Sequence, residues 1–155
     1  MLKSDAPEDA MDDTTMELNA LQRIPFFAEL EREDLEGILA IGEEVSFDAG
    51  QAIVERGDPG DALYILTGGA AQVDVGGRYH DLKPGEFFGE MGVIAGRKRM
   101  ATVKAVEPVR AVRIAADRFQ SFALEHPRVA LSMLRSLVDR LREVQERVEA
   151  WAGAW

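Results

Sequence analysis

Three textures follow one another along the chain. Apolar residues first recur at helix-like spacings, at Leu18, Leu21, Phe26, Phe27, Leu30, Leu35, Ile38, Leu39 and Ile41. Pro25 interrupts this run, so the pattern predicts two short helices over 18–42, with Gly42 as the closing cap. From Glu43 to Ile114 the period shortens to that of strands. β-rich runs alternate with turn signals: Asp48-Ala49-Gly50, Gly57-Asp58-Pro59-Gly60, Gly76-Gly77, Pro84-Gly85 and Glu107-Pro108. Gly76-Gly77 between Ala70–Val75 and Arg78–Leu82 predicts a two-residue hairpin. Many short strands with regular turns imply a sandwich or small barrel. The helical period returns at Ala116. Phe119, Phe122 and Ala123 mark one short helix, and Pro127 suits the first turn of a longer one over about 127–152.

The last helix has a pattern of its own. Ala130, Leu134, Leu137, Leu141, Val144, Val148, Trp151 and Trp155 alternate steps of four and three, which is a heptad seam. Arg135, Asp139, Arg142, Glu143, Glu146 and Glu149 fall on outward positions. Two readings follow: a parallel seam between two copies, or a helix folded back on its own β-domain. The narrowness and length of the stripe favour a homodimer through this helix.

Composition narrows the function classes. The 155 residues carry a net charge of −10, so sequence-independent binding to DNA or RNA is not expected. There are no cysteines, which removes disulfides and thiolate metal sites and accords with a reducing, cytoplasmic setting. Only His80 and His126 are present, too few for a histidine-built metal centre. The start of the chain has no apolar signal region, and no run approaches the roughly 20 apolar residues of a membrane span. Residues 1–17 are polar and acidic and are expected to be a disordered leader, an acidic docking tail being the other reading. Residues 18–155 then form one domain.

The densest chemistry lies in Phe88–Val103. A strand-like run ends at Gly89, the carboxylate of Glu90 follows, then a short apolar turn, then Arg99 leading back into a strand. Gly89 lets a ligand approach free backbone N–H groups at a helix start. Glu90 can accept from a sugar hydroxyl, and Arg99 offers a fork matched to phosphate oxygens. Together they suit a ligand with one phosphate and one diol-type hydroxyl.

These motifs make the chain resemble the cyclic nucleotide-binding domains of catabolite-activator-type regulators and of protein kinase A regulatory subunits. The family's cassette reads roughly Phe-Gly-Glu, an apolar turn, then Pro-Arg-Ala-Ala-Thr-Val. Phe88-Gly89-Glu90 and Arg99-Met100-Ala101-Thr102-Val103 take those places, and Gly57–Leu66 with Gly68 resembles the second signature. The resemblance covers about Leu18 to Trp155. It implies a mainly β fold, a jelly-roll (double-stranded β-helix) β-roll with N-terminal helices, a short cassette helix and two C-terminal helices.

The resemblance also implies roles. Glu90 takes the ribose 2′-hydroxyl, and Arg99 grips the cyclic phosphate with backbone groups of Gly89, Glu90, Met91, Gly92 and Ala101. Asp61 braces Arg99, while Val73, Leu82 and Val103 line the pocket. Arg140, Val144 and Gln145 are the candidates to cap the base. Three departures stand out. Lys98 replaces a proline, leaving the loop less pre-set. Gly92 replaces an alanine and is expected to loosen the short helix by about 0.5–1 kcal/mol. Met100 stands where cyclic-GMP-preferring members often carry threonine, and its thioether cannot donate to a guanine edge, which points to cyclic AMP rather than cyclic GMP.

The expected function is a cyclic-nucleotide sensor that signals through its C-terminal helices to an unknown effector, with no cofactor and no catalytic residue. The alternative is a module of this shape that binds no nucleotide and only dimerises. A jelly-roll metal enzyme lacks its histidines here, and a P-loop is absent because Gly92 and Gly96 are too close. A DNA-binding regulator needs a helix-turn-helix beyond the long helix, which these residues do not supply.

Overall fold

The structure, a computed structural model, describes residues 21–22 and 27–152, with side chains to residue 149. The predicted leader, the interruption at Pro25, and the side chains of Trp151 and Trp155 lie outside the described residues. Helix α1 (Arg32–Ile41) precedes eight strands: β1 (Glu43–Phe47), β2 (Ala52–Val54), β3 (Ala62–Gly68), β4 (Ala71–Val75), β5 (Arg78–Leu82), β6 (Phe87–Phe88), β7 (Thr102–Ala105) and β8 (Val109–Ala115). Helix α2 (Glu90–Ala95) separates β6 from β7, and α3 (Ala116–Glu125) and α4 (Pro127–Ala152) close the chain. One antiparallel sheet runs β1-β8-β3-β6 and the other β2-β7-β4-β5. The expected β-roll with helices at both ends is what the chain forms.

The Gly76-Gly77 hairpin is present, with Val75 facing Arg78 in register. Both glycines have positive φ, 60° and 87°. That conformation makes a two-residue turn follow the strand twist.

Strand alternation explains the unbroken apolar run Ala62–Leu66. Leu63 and Ile65 join Leu35, Ile38, Phe119, Phe122 and Val129 in a core between sheet and helices. Ala62, Tyr64 and Leu66 point the other way, into the roll, with Phe88, Val103 and Ala111. β8 divides likewise, Val112 and Ile114 to the helices, Val109 and Ala111 to the interior. Both central strands are therefore buried on both faces, and the run reads as continuously apolar.

The start of α4 is fastened to α1 and to the turn that precedes it. His126 Nδ1 lies 3.0 Å from Asp34 Oδ1, and Asp34 Oδ2 accepts from the Glu31 N–H at 3.1 Å. Arg128 pairs with Glu31 and Arg135 with Glu29. Val129 and Met133 are buried and Leu137 packs against the helix-side core. The heptad seam is thus divided: Ala130 and Leu137 turn partly inward, whereas Leu134, Leu141, Val144 and Val148 are exposed. Every described side chain from 141 to 149 is exposed, because α4 there has run past the β-roll.

Candidate functional site

Phe88 packs inside the roll, and the chain then turns at Gly89, which has φ 92° and opens α2. A Cβ there would lie 2.5 Å from Arg99 Nη1 and 2.7 Å from the Ala62 carbonyl oxygen. Glycine is required both by the left-handed backbone and by the guanidinium beside it. Gly92 has a different constraint. A Cβ on it would come within 2.4 Å of Gly60 Cα. Beside its expected cost to the short helix, the bareness of Gly92 lets α2 rest directly on the β2–β3 loop. The missing proline at Lys98 is offset in the backbone. Gly57 N–H donates to Arg99 O at 2.9 Å, and Arg99 N–H donates to Asp58 O at 2.8 Å.

Arg99 is the one buried arginine among the described residues, 8% exposed. Nη2 donates to the Ala62 carbonyl at 2.8 Å. Its Nε and Nη1 are buried with no hydrogen-bond partner in the protein. Leaving such donors bare costs about 1–3 kcal/mol each, more for a charged group. An anion accepting from both would remove that cost. The guanidinium carbon stands 5.9 Å from the Tyr64 ring centroid, and that ring stacks on Phe88 at 5.0 Å.

Asp61 does approach Arg99, but at 3.7 Å, and it stands equally 3.7 Å from Arg113 Nη2. The brace is therefore shared. Arg113 also reaches Glu43 at 3.2 Å. Burial lowers its pKa, but the side-chain hydrogen bond with Tyr64 and the carboxylates of Asp61 and Glu43 outweigh that, and the net shift is upward. Arg113 is permanently charged.

Glu90 is already engaged. Arg140 Nη1 lies 3.2 Å from Glu90 Oε1, and Arg140 Nη2 donates to the Phe87 carbonyl at 2.6 Å. The Arg140 guanidinium also covers the Phe87 ring at 4.1 Å. Arg140, named above as a candidate to cap the base, thus meets the cassette through its acid. Val144 and Gln145, expected beside it, are exposed on the free part of α4, and Gln145 donates to Glu149 at 3.4 Å. A second tie from the C-terminal helices is the 2.6 Å bond from Gln120 Nε2 to the Val93 carbonyl.

The three expected lining residues share one side of the second sheet's cluster. Val73 faces Val103 in register, and Leu82 belongs to the same interior cluster. Met91 and Met100 are about half exposed, and Ala101 is partly buried at the entry to β7. Sequence reasoning missed Tyr64, Phe87 and Arg113. Strand alternation in β3 would have placed Tyr64 beside Ala62 and Leu66; nothing local signals the other two. Among the described residues, no group of three or more acidic, histidine or cysteine side chains could hold a metal ion. No helix among them is long and apolar enough to cross a membrane.

Two sheets rolled around an apolar interior, with a buried, half-satisfied guanidinium beside a glycine-opened cassette, define a ligand-binding regulatory β-roll. The chain belongs to the cyclic nucleotide-binding domain family, whose description its residues 44–126 match. It is 32% identical over 126 residues to an uncharacterized NTE family protein of Mycobacterium tuberculosis, covering 80% of this chain and 22% of that protein. It is also 32% identical over 103 residues to the cAMP-dependent protein kinase regulatory subunit of Aspergillus fumigatus, covering 64% of this chain and 25% of that protein. The crystal structure of Thermus thermophilus catabolite activator protein superposes with a TM-score of 0.73 at 28% identity, over 83% of this chain and 63% of that one. The chain spans about a quarter or less of the length of these curated relatives.

Proposed function

We propose that this domain senses cyclic AMP and passes the binding event to α4. The observation that carries the reading is the pair of buried, unpartnered Arg99 nitrogens next to Gly89. In this reading Arg99 takes the cyclic phosphate with backbone groups of Gly89–Gly92 and Ala101. Glu90 takes the ribose 2′-hydroxyl, and Val73, Leu82 and Val103 lie under the sugar and base. Asp61 and Arg113 hold the charge around Arg99. The thioether of Met100 supplies no donor for a guanine edge, which supports adenine over guanine. Calorimetric titration against cyclic AMP, cyclic GMP and a cyclic dinucleotide tests this. Cyclic AMP should bind most tightly, and an absence of binding by all three defeats the reading.

Arg140 is the route to α4. Its guanidinium joins Glu90 and the Phe87 carbonyl to the long helix. A ligand that changes the environment of Glu90 changes what holds α4, and this shifts the helix only as far as its two positions bind ligand unequally. Adding cyclic AMP should alter amide hydrogen exchange in residues 141–149 of the wild type. Arg140→Ala should abolish that response while binding persists. An unaltered response in the variant refutes the route.

The exposed apolar stripe Leu134, Leu141, Val144 and Val148 supports a homodimer through α4. Leu141→Glu should give monomers by sedimentation, and a variant that stays dimeric refutes the seam. The effector is a partner or a further segment whose contact with α4 depends on ligand. A dimerising module without ligand is the second reading. The hold of Arg140 on Glu90 favours it, and the same titration decides between them.

A further inference from the structure

The loop between α2 and β7, Arg99 included, borders an open cationic hollow. Arg56, from the β2–β3 loop, faces residues 95–100 across an open cleft of about 620 Å³. Arg56, Arg97 and Lys98 are exposed on its walls, and no carboxylate lines it. None of the three has an ion-pair partner among the described residues, although the chain carries 28 acidic side chains against 18 basic ones. Arg32, Arg113, Arg128, Arg135 and Arg140 each reach a carboxylate. A bound anion would supply the counter-charge that these three side chains lack.

The walls are held in place by main chain. Besides the two bonds between Gly57, Asp58 and Arg99, the Arg56 N–H donates to Thr102 Oγ1 at 3.1 Å. An anion would therefore order side-chain ends only, which limits the entropy lost on binding. The cleft falls in the range of small-molecule sites, roughly 300–1,000 Å³. Two guanidinium forks favour phosphate oxygens. An acidic peptide needs cations spread along a strip, whereas these three converge on one hollow.

We propose that Arg56, Arg97 and Lys98 form an accessory anion site, built on their exposed side chains rather than on the buried Arg99 guanidinium, for a small multiply charged phosphate ligand. Inorganic pyrophosphate and ATP are the probes, because free polyphosphate and nucleotide polyphosphate share this chemistry. Pyrophosphate should shift the amide resonances of Gly96, Arg97 and Lys98 in the full chain. Arg97→Gln combined with Lys98→Gln should weaken it by about tenfold or more. Arg142→Gln combined with Arg147→Gln, the same charge change on exposed positions of α4, should not. Tighter binding of ATP assigns a nucleotide polyphosphate, and equal binding assigns the inorganic form. The proposal is overturned by an absence of binding, by equal weakening in both double variants, by shifts confined to Glu90 and Val103, or by preference for a polyglutamate peptide.

Discussion

Under the proposed reading, Arg99→Ala should lower cyclic-AMP affinity by at least about a hundredfold, because two charge-assisted hydrogen bonds of roughly 1.5–3 kcal/mol each would be lost and 1.4 kcal/mol is tenfold. The same substitution leaves the domain folded. Within the protein Arg99 gives up its bond to the Ala62 carbonyl, its place 5.9 Å from the Tyr64 ring centroid and a 3.7 Å approach to Asp61, which keeps Arg113. Arg99→Lys should not rescue binding, since an ammonium lacks the planar fork. Calorimetry reads the affinity and circular dichroism the fold. Unchanged affinity in the alanine variant would place the phosphate elsewhere.

Gly89→Val is the most damaging change to the site and to stability together. A left-handed backbone costs a side-chain-bearing residue about 1–2 kcal/mol, and forcing atoms into a filled space adds about 1–3 kcal/mol. The nearest obstacles are Arg99 Nη1 and the Ala62 carbonyl, and the latter is main chain that cannot swing aside. For a domain of this length the loss lowers the melting temperature by roughly 10 °C. Cyclic-AMP binding should disappear with it, as Arg99 is displaced. A variant with wild-type melting and wild-type affinity would show that the turn is free to remodel.

Local signals carried much of this molecule. The glycine pair of the hairpin, the period change at Glu43 and Ala116, and the Phe88-Gly89-Glu90 turn all act within a few residues, and each formed as read. The interior wall was reachable too, since Val73 and Val103 share a face once β4 and β7 pair. What stayed hidden depends on long closures. Nothing near Glu90 announces that an arginine 50 positions later will hold it. Gly92 looked like a weak helix former because its partner, Gly60, lies on another loop. The heptad spacing was visible, but not that Leu137 would be claimed by its own domain, because one helix face can satisfy two packing demands.

The dipeptide Phe87-Phe88 straddles the sheet. One ring belongs to the helix-side core and the other to the roll interior. Both rings are buried in close-packed surroundings, which ties this two-residue strand to both layers at once. Phe88 leads straight into Gly89, and Phe87 bears the Arg140 guanidinium. In the proposed sensor, a tightening of the cassette would rock this short strand, and α4 would feel it through the arginine resting on that strand's outer ring.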